Sequence, residues 1–366
     1  MTAFGLAVAL TACGDGDDAA PPPASPVPTP TTSTGATSSP RGAPDLAAPQ
    51  QVASDIEVPW GLAFLPDGNA LVAERETGRV LRVSPGGGAA REVYRVRGVS
   101  AVGEGGLLGL AVSPAYATDR YVYAYFTGES DNRIVRFRLD GGDPSVVFDG
   151  IAKASNHNGG RIAFGPDGML YVGTGDAAQR SSSQDADNPS GKILRLTPEG
   201  EPAPGNPRAG SPVYSLGHRN VQGLAWDSAG RLYATEFGQN RLDEVNLIEA
   251  GNNYGWPEVE GNGDTDGGRY TNPIVTWSTD EASPSGAAIT GDTLYVAALR
   301  GERLWTVPLE NGAAGEPRAE LEGRYGRLRT VAVAPDGALW VTTSNRDGRG
   351  DVQDGDDRIL RHAAKA

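Results

Sequence analysis

The chain has 366 residues, including 51 glycines and 27 prolines, and a net charge of −14 at pH 7. The negative charge is spread along the sequence, and no Lys/Arg-rich block could neutralise a run of phosphates, which argues against nucleic acid as a partner. No apolar run reaches the roughly 18 residues that a membrane-spanning helix needs. This composition favours a turn-rich, all-β domain.

The first residues have the pattern of a bacterial lipoprotein signal. An apolar stretch at residues 4–10 leads through Thr11 and Ala12 to Cys13, which is the only cysteine of the chain. Residues 1–13 are therefore predicted to be a signal segment that ends at a lipidated Cys13, with an incidental or buried cysteine as the alternative. This interpretation implies an extracytoplasmic protein that is held at the membrane by its lipid anchor only.

A tether is predicted to follow the signal. Residues 14–50 consist mainly of Asp, Pro, Thr, Ser, Ala and Gly, with almost no large apolar residue to bury. Such a segment cannot offset the entropy lost on ordering, so it is expected to be flexible. Residues 51–366 then form the folded domain.

Six copies of one unit fill that domain. Each copy has an apolar triplet, a turn that reads Pro-Asp-Gly in three copies, and a second short apolar strand; a third strand follows. The triplets are residues 62–64, 110–112, 162–164, 224–226, 287–289 and 331–333. Pro fixes φ and Gly admits positive φ, so these turns are typical of β-hairpins.

The repeats predict an all-β fold, a six-bladed β-propeller of four-stranded antiparallel blades. Radial repetition is one way in which such sheets avoid open edges. The last unit has no residues left for an outer strand, and residues 51–56 precede the first triplet without a sheet of their own. The N-terminal strand is therefore expected to complete the last blade and close the ring. A pair of β-sandwiches is the alternative fold.

Propeller geometry predicts where the chemistry lies. The first strands of all blades run in the same direction along the central channel, and each hairpin returns the chain to the face where the first strand began. Residues before the triplets and after the second strands therefore meet at one channel mouth. The first group is Pro59, Trp60, Glu104, Asn156, His157, Arg219, Asn220, Ser285, Arg327 and Arg329, and the second is Glu74, Asp176, Glu236, Phe237, Gly238 and Arg300.

These groups bring four arginines to one mouth together with a histidine. Guanidinium groups bind carboxylates in a bidentate manner and stack on planar rings. The predicted ligand is therefore anionic and planar, such as a multiply carboxylated quinone. For one arginine alone, a surface ion pair would be the simpler interpretation, but four converging arginines argue against it.

Five motifs resemble those of one enzyme family. They are GEGGLLG (103–109), HNGGR (157–161), GHRNVQG (217–223), NYGWP (253–257) and DDRIL (356–360). Together they are similar to the soluble glucose/sorbosone and aldose sugar dehydrogenase family, over about residues 51–362. The resemblance implies oxidation of aldose sugars at C1 to lactones, with pyrroloquinoline quinone (PQQ) and calcium as cofactors and an external electron acceptor.

The resemblance also implies residue roles. His157 would be the general base that takes the sugar hydroxyl proton, and Arg219 would contact the quinone oxygens. The residues implied in cofactor binding are Glu104, Arg219, Asn220, Arg300, Arg327 and Arg329. His218 is expected to orient its loop, and His362 is expected to have no role.

Calcium would be held at two places by the same resemblance. The backbone carbonyls of Gly238 and Gln239 would bind a catalytic ion, which takes oxygen ligands and polarises a carbonyl group. Glu244 and Tyr254 resemble a second, structural site, with Asp264 as a weaker candidate. A solvated or ion-paired strand residue is the alternative for Glu244.

Two other functions remain open at this stage. A six-bladed lactonase-type hydrolase would need a central metal held by carboxylates, and a non-catalytic binding propeller on the cell surface would take up no cofactor. The sequence does not distinguish a monomer from a dimer.

Overall fold

The structure, a computed structural model, describes residues 42–365 together with Met1. Their strands form six antiparallel sheets, and these sheets are the blades of a propeller, as the repeats predict. Blade one contains β2 Pro59–Phe64, β3 Ala70–Glu74, β4 Arg79–Val83 and β5 Arg91–Arg95. Blade two contains β6 Leu107–Val112, β7 Tyr121–Thr127, β8 Asn132–Arg138 and β9 Ser145–Ile151. Blade three contains β10 Ile162–Phe164, β11 Leu170–Gly173, β12 Lys192–Leu196 and β13 Val213–Leu216.

The second half of the propeller repeats the arrangement with one variation. Blade four contains β14 Val221–Trp226, β15 Leu232–Glu236, β16 Leu242–Ile248 and β17 Val275–Ser278. Blade five contains β18 Pro284–Thr290, β19 Thr293–Ala298, β20 Arg303–Glu310, β21 Ala313–Ala314 and β22 Arg318–Glu320. Blade six contains β23 Leu328–Val333, β24 Leu339–Thr343, β25 Ile359–His362 and β1 Gln50–Ala53. Both β21 and β22 pair with β20, so the outer edge of blade five is split.

Helical structure in the described part is limited to the short helix α1 (Tyr116–Asp119) and the 3-10 turns Arg180–Gln184 and Asp266–Gly268. None of these segments is long or apolar enough to cross a membrane.

The ring closes through its N-terminal strand, which confirms the prediction. In the sixth sheet, β1 pairs antiparallel with β25, with Gln50 opposite Arg361. The chain before β1 continues along the same edge, because Pro44 forms a bridge with Ala364 and the Asp45 amide donates to the carbonyl of Ala363. Residues 42–49, which composition assigns to the tether, therefore pack against the sixth blade. Cys13 and the rest of the predicted tether lie outside the described residues.

This edge leads to a prediction about truncation. A protein that starts at Gly42 should unfold at the same temperature as the full chain, because it keeps every contact described for the propeller. A protein that starts at Ser54 loses β1 and with it the buried Val52, which alone should cost about 2 kcal/mol. Thermal unfolding of both proteins measures the difference. Equal melting temperatures would show that β1 does not contribute to ring stability.

The core consists of six apolar clusters, one between each pair of neighbouring blades. Side chains alternate along a strand, so each strand supplies both interfaces. In β15, for example, Tyr233 packs towards blade five, whereas Leu232 and Ala234 pack towards blade three. Each blade is thus held from both sides.

Five of the six innermost strands contain a register shift near their first residues. A bulge at this point re-aims the adjacent side chain. Glycines lie at these register shifts where neighbouring innermost strands approach each other closely. A Cβ atom on Gly61 would lie 2.4 Å from the Leu108 carbonyl oxygen, and a Cβ atom on Gly223 would lie 2.5 Å from the Ser285 carbonyl oxygen. The residues before these glycines, Trp60 and Gln222, lie at the channel mouth.

Candidate active site

A cavity of about 210 Å3 lies at the channel mouth where the innermost strands begin. We call this end of the channel the upper mouth and this cavity the upper cavity. Its lining residues come from the first residues of innermost strands and from loops of different blades. They are Trp60, Arg75, Gly103, Glu104, Gln222, Phe237, Leu299, Arg329, Asp347, Gly348 and Arg349. Of these, Trp60, Glu104, Phe237 and Arg329 are among the residues that the repeat geometry places at this mouth.

His157 and Asp176 form a hydrogen-bonded pair in blade three. The imidazole Nδ1 of His157 is 2.7 Å from Asp176 Oδ1, and the carboxylate is fully buried. Asp176 also accepts hydrogen bonds from Trp256 Nε1 and from the Ala178 amide, both at 2.8 Å. Burial alone would raise the pKa of Asp176, but these hydrogen bonds hold it below its ordinary value. Asp176 is therefore ionised at neutral pH.

The ionised carboxylate fixes the tautomer of His157. Nδ1 carries the proton and donates a hydrogen bond to Asp176, which leaves the lone pair of Nε2 as an acceptor. In this tautomer Nε2 accepts a hydrogen bond from Asn156 Nδ2 over 3.3 Å, which a substrate hydroxyl group would replace. His157 has a φ of 55°, a left-handed conformation that is uncommon outside glycine. Its amide donates to Glu104 Oε2 over 3.2 Å, which holds the residue in place.

Arg219 and Asn220 lie beside this pair. Arg219 Nη1 donates to the carbonyl oxygen of Phe237 over 3.1 Å, and its guanidinium carbon is 5.5 Å from the centre of the Trp256 ring. Asn220 Oδ1 accepts a hydrogen bond from the Gly159 amide. The structure therefore brings His157, Arg219 and Asn220 together, as the sequence predicts.

Several buried donors around the mouth have no hydrogen-bond partner within the described part of the chain. They are Arg75 Nε, Arg219 Nε, Asn220 Nδ2 and Arg329 Nε. An unpaired buried donor is costly, and most such groups in folded proteins are satisfied. Four of them at one mouth fit a ligand that is rich in acceptor oxygens.

Arg327 and Arg329 share one carboxylate. Asp347 Oδ2 accepts hydrogen bonds from Arg327 Nη2 at 2.9 Å and from Arg329 Nη2 at 3.3 Å. Burial would raise the pKa of Asp347, but the two guanidinium groups hold it below its usual value. Arg329 lines the cavity itself, whereas Arg327 does not.

An ion pair links two loops across the cavity. Glu104 Oε1 lies 3.0 Å from Arg349 Nη1, and both residues line the cavity. Because Glu104 Oε2 accepts from the His157 amide, one carboxylate connects blade two with the loops that carry the candidate base and Arg349.

Two predicted mouth residues lie elsewhere. Glu74 is buried among Arg79, Thr77 and the Glu57 amide, and the next residue, Arg75, lines the cavity. Arg300 is exposed and pairs with Asp280 at 2.5 Å, while the residue before it, Leu299, lines the cavity. The structure does not bring Arg300 into the cavity.

The loop that carries Gly238 and Gln239 is held by two carboxylates. Glu260 Oε1 accepts hydrogen bonds from the amides of residues 239–242, and Asp243 Oδ1 accepts from the Gly238 amide. In a planar trans peptide the N–H and C=O groups point in opposite directions. The carbonyl groups of Gly238 and Gln239 therefore point away from Glu260. This orientation is the one that they need in order to bind a calcium ion.

A second acidic group lies deeper in blade four. Glu236 and Glu244 face each other on adjacent strands, and both are buried. Glu244 also accepts hydrogen bonds from the Gly261 amide at 2.6 Å and from Asn246 Nδ2 at 3.1 Å. Burial and the neighbouring carboxyl group raise the pKa of Glu244 above its ordinary value. Two adjacent carboxyl groups of this kind are suited to a cation.

The other residues of the predicted structural calcium site differ in placement. The Tyr254 hydroxyl donates to the Leu247 carbonyl oxygen over 2.7 Å, and the Tyr254 amide donates to the Leu216 carbonyl oxygen, so the backbone carbonyl oxygen is the Tyr254 group that remains for a calcium ion. Asp264 is exposed. Within residues 42–365, no cluster of three or more His, Cys, Asp or Glu side chains is suited to a metal ion. Calcium at Glu244 would therefore need backbone carbonyl ligands, which it accepts readily.

The remaining histidines are both buried. His218 Nδ1 lies 3.0 Å from Glu236 Oε2, and its ring stacks on Tyr254. Burial lowers the pKa of His218 to about 3, so it is neutral and orients its surroundings. His362 Nδ1 donates to the Asp45 carbonyl oxygen, which places it at the ring closure rather than at the cavity.

Sequence reasoning missed several cavity residues. Asp347 follows the second strand of blade six, so the strand-end rule would have found it if applied to that blade. Gln222 lies within the motif at residues 217–223, but the sequence assigned no cavity role to this residue. Arg349 lies in an irregular loop, and no repeat signal points to it.

The fold and the site together define a six-bladed propeller with an arginine-rich cavity beside a His–Asp pair whose carboxylate is buried. Residues 56–360 match the Glucose / Sorbosone dehydrogenase family, and the chain belongs to this family. It is therefore a member of an enzyme family of sugar dehydrogenases.

Individual relatives agree with this assignment. The chain is 30% identical over 332 residues to an aldose sugar dehydrogenase of Escherichia coli (strain K12), covering 80% of this chain and 89% of that protein. It is 32% identical over 260 residues to quinoprotein glucose dehydrogenase B of Acinetobacter calcoaceticus, covering 60% of this chain and 54% of that one. The structure of the PQQ-bound form of an aldose sugar dehydrogenase from Streptomyces coelicolor superposes with a TM-score of 0.84 at 55% identity, covering 88% of this chain and all of that chain.

Proposed function

We propose that this protein oxidises aldose sugars at C1 to lactones, with PQQ as its cofactor, and passes the electrons to an external acceptor. The observation that carries the proposal is the proton-accepting Nε2 of His157, whose ring is fixed by Asp176 next to a cavity with unpaired arginine donors. The PQQ-bound Streptomyces coelicolor structure supports the choice of cofactor.

The residues at the mouth fit PQQ, a planar molecule with several carboxylates. The unpaired donors of Arg75, Arg219, Asn220 and Arg329 would donate hydrogen bonds to its oxygen atoms, and Trp60 lines the same cavity. When bound, PQQ supplies the acceptor for the hydride that leaves C1 of the sugar.

The protein's own groups handle the proton. His157 Nε2 accepts the proton of the C1 hydroxyl as a general base. Asp176 stabilises the imidazolium ion that results, because its buried carboxylate already accepts the Nδ1 proton. Arg219 adds a positive charge where negative charge develops.

The proposal includes calcium. The carbonyls of Gly238 and Gln239, turned away from Glu260, would hold an ion at the mouth, where it would polarise a carbonyl group of the cofactor. Glu244, with the Tyr254 backbone, would hold the structural ion.

Titration with PQQ tests the function. The purified protein with calcium should take up PQQ with a change in absorbance, and aldoses should then reduce a dye. Lactone hydrolysis without PQQ uptake would indicate a hydrolase instead. No uptake and no turnover would indicate a binding propeller.

Replacement of Glu244 by Gln tests the structural calcium site. In the wild-type protein, occupancy of this one site at about 100 times its dissociation constant for calcium should add about 2.7 kcal/mol to the free energy of unfolding. The Glu244→Gln variant should lose most of this increment, because one of the two buried carboxylates is gone. Thermal unfolding with calcium and with a chelator measures it, and Asp264→Asn is the control that should keep the increment. An unchanged increment in Glu244→Gln would remove Glu244 from the site.

We also propose that the protein is extracytoplasmic and anchored to the membrane through lipid on Cys13, as the sequence at residues 4–13 suggests. Cys13→Ser should move the protein from the membrane fraction to the soluble fraction, because a lipid chain is the expected attachment. Fractionation of cells that express both forms measures this. Persistent membrane association of the variant would contradict the anchor.

A further inference from the structure

Arg161 lies directly below the cavity. Its side chain is buried, and Nε donates to the backbone carbonyl oxygen of Gln222 over 2.6 Å. Nη2 donates to Thr330 Oγ1 over 3.1 Å, and the guanidinium carbon is 4.3 Å from the centre of the Trp60 ring. Arg161 is thus held by three strands of the channel wall.

The residues that hold Arg161 also form the floor of the cavity, which we define as Trp60, Gln222 and Arg329. All three line the cavity. Arg329 Nη1 donates to Gln222 Oε1 over 3.1 Å, and its guanidinium carbon is 5.9 Å from the centre of the Trp60 ring. A single layer of side chains therefore separates Arg161 from a ligand in the cavity.

Arg161 has no ion pair among the described residues, unlike Arg327 and Arg329, which share Asp347. Burial and the charge of Arg329 lower the pKa of Arg161 to about 9, so it is still protonated at neutral pH. A buried cation without a counter-charge is unfavourable.

The channel below Arg161 offers no counter-charge. A second cavity of about 460 Å3 opens towards the opposite face and is lined by the six apolar triplets. Its other lining residues are Arg161 itself and Thr330. An anion that compensates Arg161 is therefore expected in the upper cavity.

We propose that Arg161 is an electrostatic positioning residue that strengthens the binding of an anionic cofactor above the floor and favours its reduced form. The inference rests on the proposed function, because it requires PQQ in the upper cavity. A hydride carries two electrons and one proton, so the bound cofactor becomes one unit more negative when C1 is oxidised, while the hydroxyl proton goes to His157. A fixed positive charge below the floor stabilises that additional negative charge.

The test compares Arg161→Gln with Arg161→Lys in the full chain. PQQ titration gives the dissociation constant, and redox titration of the loaded protein gives the midpoint potential. Arg161→Gln should bind PQQ about tenfold or more weakly. The loss of affinity should be larger for reduced PQQ than for oxidised PQQ. For each factor of ten between these two losses, the midpoint potential of the bound cofactor should fall by about 30 mV. Arg161→Lys keeps the charge and should stay close to the wild-type protein in both measurements.

A second variant leaves Arg161 in place. Ala163→Asp puts a carboxylate in the lower cavity, which Ala163 and Arg161 both line, and should reproduce the weaker binding and lower potential by compensating the charge. Ala163→Asn is the matched neutral control and should behave like the wild-type protein. This pair answers the question even if Arg161→Gln does not fold.

The outcomes separate the two claims. Suppose that the wild-type protein takes up PQQ and that Arg161→Gln binds it with unchanged affinity and midpoint potential. The role proposed for Arg161 is then wrong, and the proposed function stands. If Arg161→Gln does not fold, Ala163→Asp decides in the same way. If the wild-type protein takes up no PQQ, both are wrong.

Discussion

Replacement of His157 by Gln should lower the turnover of aldose sugars by roughly 10²- to 10⁴-fold, the usual size of a general-base contribution. PQQ affinity should stay nearly unchanged, because His157 is not among the unpaired buried donors that are expected to bind the cofactor. A glutamine amide can occupy the space and keep a hydrogen bond to Asp176, but it cannot accept the hydroxyl proton.

The measurement is dye-linked sugar oxidation at saturating PQQ, with PQQ affinity determined separately. His362→Gln is the control, since His362 is a histidine that is buried at the ring closure, away from the cavity. It should change stability rather than turnover of the folded protein. Arg219→Lys should show both weaker PQQ binding and slower turnover, because Arg219 is expected to contact the oxygens that become charged. Full sugar oxidation by His157→Gln would mean that another group is the base.

The ring and its closure could be predicted from the sequence because they follow from repetition. The triplets lie in the innermost strands, and the absence of an outer strand after Arg361 correctly indicates that the N-terminal strand completes blade six. Turn chemistry and the alternation of side chains act locally, so one sequence is enough to find them.

The orientation of single side chains at strand ends could not be predicted in the same way. Arg75 lines the cavity in place of Glu74, and Leu299 does so in place of Arg300. Side chains of successive residues point to opposite faces, so an error of one residue reverses the prediction. Bulges add to the difficulty, since they shift the register where the innermost strands reach the mouth.

Contacts between distant loops were also beyond the sequence. Trp256 of blade four donates to Asp176 of blade three, and Arg349 of blade six pairs with Glu104 of blade two. No periodic pattern relates such residues, because each lies in an irregular loop. The role of Trp256 in fixing the His–Asp pair follows only from the three-dimensional arrangement.

Replacement of Arg329 by Gln should weaken PQQ binding by about 30-fold or more. Truncating one partner of a buried charged contact costs about 2 kcal/mol or more of binding free energy, which corresponds to that factor. Arg329 lines the cavity and has an unpaired buried Nε, so its loss removes a donor that the ligand is expected to use. Arg327→Gln should weaken binding less. Arg327 does not line the cavity and acts through Asp347, whose position it fixes together with Arg329.

PQQ titration of the three variants Arg329→Gln, Arg327→Gln and Arg300→Gln gives the order of effects. At saturating PQQ, Arg329→Gln and Arg327→Gln should keep much of the wild-type turnover, because Arg329 is expected to contact the cofactor and Arg327 acts through Asp347, and neither is expected to contact the sugar hydroxyl. Arg300→Gln decides between the resemblance, which assigns Arg300 to the cofactor, and the structure, which places it at the surface with Asp280. An affinity loss in Arg300→Gln as large as that in Arg329→Gln would show that Arg300 turns into the cavity when PQQ binds. Unchanged affinity in Arg329→Gln would instead contradict the position of the cofactor above Trp60 and Gln222.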